Sequence, residues 1–129
     1  MTQEELKERT KKFALRVIKL ANALPKDPLG NTIRNQIIRS GTSVASNYRA
    51  ALRSRSDQEF ISKLNVVIEE CDETLFWLEL AIDSEIMNKN KVELLCKEAD
   101  ELVSIFCSTQ MTMKSKIKNQ KSEIRNQKS

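Results

Sequence analysis

The sequence predicts an all-α protein, an antiparallel up-down-up-down four-helix bundle, and three observations carry that expectation. Glycine and proline are scarce, with two of each in 129 residues, and both prolines fall in the single segment LPKDPLG; chain-breaking residues this rare leave room for long helices and little for sheet. Charged residues make up 31% of the chain, as helices with one solvated face require. Apolar residues recur at spacings of three and four in four separate stretches, which is the period of an amphipathic helix.

The first stretch opens at Thr2-Gln3-Glu4-Glu5, a capping box in which the Thr2 hydroxyl satisfies a free N–H of the first turn. Leu6, Phe13, Val17, Leu20 and Leu24 then fall on one stripe, and Pro25 ends it. Asp27 is the next N-cap, with Pro28 at the first helical position, where its missing N–H costs nothing. Ile33, Ile37, Val44, Tyr48 and Leu52 form the second stripe, in a helix expected to break near Arg55 because Ser56-Asp57-Gln58-Glu59 is a second capping box. Phe60, Leu64, Val67, Cys71, Leu75, Leu78 and Ile82 make the third buried line. After MNKNK, Asn90 with Glu93 is the expected cap of a fourth helix carrying Val92, Leu95, Ala99, Leu102, Val103 and Phe106. These segments form one domain over residues 1–113.

Residues 114–129 are a separate matter. They hold six of the 22 basic residues and one of the 18 acids, leaving 16 basic against 17 acidic in the body, so the net charge of +4 belongs to the tail. The tail repeats IKNQKS as IRNQKS around Glu123, and its two isoleucines cannot support a packed helix. A solvated basic tail, disordered or a frayed helix, is the expectation.

The third segment carries more apolar surface than one bundle buries. Val66, Trp77 and Leu80 lie opposite its core stripe with Phe76 between, and Leu15 and Ile18 on the first helix and Leu94 and Ile105 on the fourth also fall outside their stripes. A contiguous apolar patch of this kind marks an interface, so these eight residues are read as contacts between copies of the chain.

The second helix has three faces. Besides its core stripe, Ser40, Ser43 and Asn47 belong to a row of small polar residues suited to close helix packing, with hydroxyl and amide groups satisfying one another across the contact. Arg39, Arg49 and Arg53 align with Thr42 and Ser46 as an outward basic ridge. No acid occurs between Pro28 and Ser56, whereas residues 57–84 hold eight acids against the single Lys63. The ridge therefore has two readings: a contact for the RNA or DNA backbone, or ion pairs to the acidic third helix of the same or a neighbouring copy.

An enzyme is not expected. With no histidine, the chain lacks the commonest general base and the Glu-x-x-His pairs of di-metal bundles. Consecutive carboxylates such as Glu69, Glu70, Asp72 and Glu73 point around a helix rather than to one centre, so no metal site, cofactor or small-molecule substrate is expected. Cys71, Cys96 and Cys107 have no ligand spacing and read as buried, reduced thiols. The charged N-terminus and the absence of a long apolar run lead to a cytoplasmic, non-membrane expectation.

The run from LPKDPLG through QIIRSGTSVASNYRAALRSRSDQEFISKLNVVIEECDETLFWLELA resembles the four-helix-bundle proteins encoded by intervening sequences of bacterial 23S ribosomal RNA genes, the S23-like family. The resemblance rests on Arg39, Ser40, Ser43, Val44 and Asn47, and on the acidic and aromatic run at residues 69–79. It implies an all-α homopentamer. A similarity to accessory proteins of diversity-generating retroelements implies a nucleic-acid or reverse-transcriptase-like partner.

Overall fold

The computed structural model describes residues 1–128, and all of its regular structure is helical: α1 (Gln3–Asn22), α2 (Pro28–Ala51), α3 (Asp57–Asp83) and α4 (Lys89–Lys128). Five-residue connections force consecutive helices to run antiparallel, giving the up-down-up-down bundle. α2 and α3 share the most extensive contact, α1 packs on α2 and α4 on α3, and the closing contact of α1 with α4 is much the thinnest.

Local chemistry fixes the helix starts. Thr2 Oγ1 accepts from the Glu5 amide at 3.1 Å, Asp27 Oδ1 from the Gly30 amide at 2.8 Å and Ser56 Oγ from the Glu59 amide at 3.1 Å, so each cap satisfies a donor that no helical carbonyl can reach. The fourth start differs from the sequence expectation. Asn88 rather than Asn90 accepts there, its Oδ1 taking the Asn90 amide at 3.1 Å, and the helix begins at Lys89. Glu85 in the preceding connection has φ 60°, the left-handed conformation that reverses the chain after α3.

The core is the sum of the four stripes. Phe13, Val17, Ile33, Ile37, Val44, Tyr48, Leu64, Val67, Leu78, Val92, Leu102 and Phe106 are buried, and the Tyr48 and Phe106 rings meet at 5.4 Å between centroids. Leu20, Leu52, Leu75, Ile82 and Val103, placed in the stripes by their spacing, are half-buried at the margin. Small residues set the distance between α1 and α2. Gly41 faces Val17, where an added Cβ would lie 2.7 Å from Cγ1, and a Cβ on Gly30 would run into the carbonyl oxygen of Pro25. Arg34 completes the corner, donating from Nε to Ala21 O (3.1 Å) and from Nη2 to Leu24 O (2.6 Å) and Pro25 O (2.9 Å), which ties the end of α1 and the connection after it to α2.

α2 ends at Ala51, so Arg53 lies in the α2–α3 turn and not on a continuous ridge with Arg39 and Arg49. Residues 114–128, expected as a disordered or frayed tail, form the last turns of a 40-residue α4, with residues 114–127 exposed apart from Ile117. Lys, Glu, Gln and Ile are adequate helix formers, and α4 supplies a nucleus that an isolated segment lacks. Ser129 lies outside the described residues. Of the cysteines, Cys71 is buried while Cys96 and Cys107 are only half-buried, and all three are free thiols.

Two outcomes follow from this packing. Gly41→Ala should lose about 1–3 kcal/mol in urea unfolding, because Val17 must yield, and Gly30→Ala should lose more, because its obstacle is backbone. Burial pushes the Cys71 thiol up to about 12, so iodoacetamide at neutral pH should modify Cys71 only as fast as the bundle unfolds, and well after Cys107.

Candidate functional site

The α2–α3 face joins the basic helix to the acidic one. Arg39, half-exposed on α2, directs Nη1 to Glu70 Oε2 at 3.1 Å and Nη2 to Glu73 Oε1, two carboxylates one turn apart on α3. Gln36 Oε1 accepts from Arg39 Nε at 3.1 Å, and Trp77 Nε1 donates to the same Glu73 oxygen at 3.3 Å. Glu73 thus sits between a guanidinium and an indole. The Arg39 hydrogen bond holds its carboxyl below the usual carboxylate range, and the same contact raises Arg39. Of the two sequence readings of the ridge, this arginine follows the ion-pair one, within its own chain.

The remaining arginines at that end of α2 are different. Arg49, Arg53 and Arg55 are exposed, and among the described residues none of their guanidinium groups forms an ion pair or hydrogen bond. They stand at the pole where α2 ends and α3 begins, and α4 passes the same pole: Lys116 Nζ lies 3.5 Å from Asp57 Oδ2, and Met113 borders the pocket beside Arg55. Beyond that contact, Lys114, Lys118, Lys121 and Arg125 line one side of α4 with Ile117. Ser54 Oγ, between Arg53 and Arg55, is buried without a partner among the described residues. Arg55 was not among the residues that spacing singled out; its signal was only the capping box that ends the basic run.

The row of small polar residues behaves differently from the sequence expectation. Ser40 is fully buried at the helix contact, whereas Ser43 and Asn47 are half-buried. Among the described residues their polar groups form no hydrogen bond across helices. Ser40 Oγ donates to Gln36 O at 2.7 Å and Asn47 Nδ2 to Ser43 O at 2.9 Å, both within α2. A carbonyl one turn back is always in reach of a short side chain, so it outcompetes a partner helix.

The eight residues expected between copies separate into two sets. Leu15, Val66, Phe76 and Leu94 are exposed large hydrophobics, with Leu94 66% and Leu15 59% exposed. Trp77, Leu80 and Ile105 are half-buried against the core, and Ile18 is half-buried. The structure also reveals a contact that spacing could not reach, since its members are some 90 positions apart: Arg9 on α1 binds Glu98 on α4 through Nε (2.9 Å) and Nη2 (2.6 Å), with Glu101 at 3.1 Å. Among the described residues no group of three or more His, Cys, Asp or Glu is placed to hold a metal ion, and no helix is long and apolar enough to cross a membrane.

Comparison with known proteins identifies the fold and the family. The family model described as 23S rRNA-intervening sequence protein matches residues 3–108. A crystal structure of a protein of unknown function from the S23 ribosomal protein family of Bacteroides thetaiotaomicron VPI-5482 is similar with a TM-score of 0.79 and 32% identity, over 86% of this chain and 99% of that one. No curated protein matches the chain. The chain therefore belongs to the 23S rRNA-intervening sequence protein family, and the match ends before the basic part of α4 begins.

The Arg39 pair has a measurable weight. Arg39→Ala should cost about 0.5–1 kcal/mol at pH 7, as a partly exposed arginine shared by two carboxylates does. Because Glu73 is depressed in the folded protein, its contribution is complete above the unfolded carboxylate pKa, about 4.3, and disappears as pH falls through the folded value. Urea midpoints of wild type and Arg39→Ala should therefore converge on acidification, and a constant difference down to pH 2 would contradict the pairing.

Proposed function

We propose that this family member is a non-enzymatic, self-associating helical protein whose basic pole, Arg49, Arg53 and Arg55 flanked by the α4 stripe, contacts the backbone of RNA or DNA in the cytoplasm. The observation that carries this reading is that, among the described residues, the guanidinium groups of Arg49, Arg53 and Arg55 form no ion pair, while Arg39 and Arg34 of the same helix are engaged. Unpaired cations clustered at one pole attract the phosphates of a strand, and release of counterions drives such binding without base recognition.

Self-association is supported by the exposure of Leu15, Val66, Phe76 and Leu94. The resemblance leads to a count of five copies, which would repeat the pole and add avidity to weak single contacts. A nucleic-acid enzyme such as a reverse-transcriptase-like protein would meet the same assembly. A second reading, a scaffold that binds no nucleic acid, is favoured by the Arg39–Glu70–Glu73 pairing, which shows that arginine on this helix can serve packing alone.

Binding to mixed-sequence single-stranded RNA at two salt concentrations separates the readings. The triple variant Arg49→Ala, Arg53→Ala, Arg55→Ala should stay folded, bind at least ten-fold more weakly at low salt and show a log–log salt slope shallower by about 2. Arg39→Ala should bind nearly as wild type. Wild-type protein with no salt-dependent affinity would leave the scaffold reading standing, and full binding by the triple variant would remove the site.

A further inference from the structure

The thin α1–α4 contact leaves a groove of about 390 Å³ near the end of α1 and the start of α4. Arg16, Lys19 and Lys91 rim it, Leu20, Leu94 and Leu95 floor it, and no acid lines it. None of the three cations forms an ion pair among the described residues. Leucine side chains open to solvent, Leu94 being 66% exposed, beside unpaired ammonium and guanidinium groups suit an occupant that is apolar at its centre and acidic at its edges.

The outward side of α3 has that composition. At 100° per residue Val66, Glu69 and Phe76 project away from the α3 core stripe, with Leu80 beside them half-buried against the core. Val66 is 41% and Phe76 53% exposed, and the acids around them, Glu69, Asp72, Glu79 and Asp83, form no ion pair among the described residues. Phe76 and Trp77 stack edge to face with centroids 5.1 Å apart, and Trp77 is in turn held by Glu73, so the phenyl ring is braced on its own helix.

The two surfaces belong to different sides of the bundle. α3 neighbours α2 and α4, while the groove opens between α1 and α4; a chain cannot fill its own groove with its own ridge. Both surfaces reach the same pole, because the end of α1, the end of α3 and the start of α4 lie together in an up-down-up-down bundle.

Resting on the self-association proposed above, we infer that the α3 ridge of one copy, centred on Phe76, docks into the α1–α4 groove of the next copy beside Arg16, Lys19 and Leu94. The contact is head-to-tail, since it joins two different surfaces. Such contacts propagate and close into a ring when their rotation permits, and surfaces at one height along the bundle axis favour closure over a climbing filament. Apolar area supplies the adhesion, and the opposed charges set orientation and exclude a ridge from meeting a ridge.

Complementation between two interface variants tests this. Phe76→Asp spoils the ridge and keeps the groove; Leu94→Asp spoils the groove and keeps the ridge. Both positions are exposed within one copy, so circular dichroism should show unchanged helix content. Light scattering at the highest soluble concentration should find wild type assembled, each variant alone monomeric, and their equimolar mixture at twice the 14.8 kDa of one chain, because one intact ridge meets one intact groove. Monomeric wild type would overturn self-association itself and this pairing with it. Assembled wild type with a self-associating single variant, or with a mixture that stays monomeric, would overturn the pairing alone.

Discussion

The spacing between α1 and α2 is the constraint on which the rest of the bundle depends. Gly41 lets Val17 approach to within contact of the α2 backbone, and Gly30 lets the start of α2 lie against Pro25. With the two helices that close, Arg34 reaches three carbonyls of the preceding corner, those of Ala21, Leu24 and Pro25. The same closeness brings the stripes of α1 and α2 into one layer, on which α3 and α4 add their own. A bundle whose first hairpin were splayed would lose the common core in which Tyr48 meets Phe106.

Charge is divided over this frame by helix. α2 has arginine and no acid, and α3 has acids and one lysine, yet among the described residues the ion pairing between them is confined to Arg39 with Glu70 and Glu73. The excess of each sign is left outward, cations at the α2–α3 pole and carboxylates along the back of α3. An arrangement in which every arginine met a carboxylate would be a closed body with nothing to offer; this one retains two surfaces of opposite sign. The indole of Trp77, bonded to Glu73, links the internal pair to the aromatic edge at Phe76.

Much of the fold was legible in the sequence because helix caps and apolar stripes are local: Thr2, Asp27 and Ser56 cap as their spacing indicates, and Phe13, Ile33, Leu64 and Phe106 are buried where the 3.6-residue period puts them. The departures are equally physical. Asn88 and Asn90 are near-equivalent caps, and the connection after the left-handed Glu85 decides between them. Ser40 and Asn47 turned back to their own helix because a nearby carbonyl costs less order than a distant one. Arg39 was visible as a basic residue facing an acidic helix, but which acids it meets depends on the register of α2 against α3. The groove and the Arg9–Glu98 bond were out of reach, since they join the two ends of the chain.

The weak closing contact also bears on how the molecule breathes. Each helix packs chiefly on its neighbours in sequence, so the body is nearer to a strip of four staves curled round than to a sealed tube, and Arg9 with Glu98 and Glu101 is the clasp along its one loose edge. Loops this short make for rapid folding, since little chain entropy is lost in joining adjacent staves. They also mean that the first fluctuation to admit water will part the outer staves at the clasp, leaving the inner pair together, and that anything seated along that edge from outside would act as a second clasp.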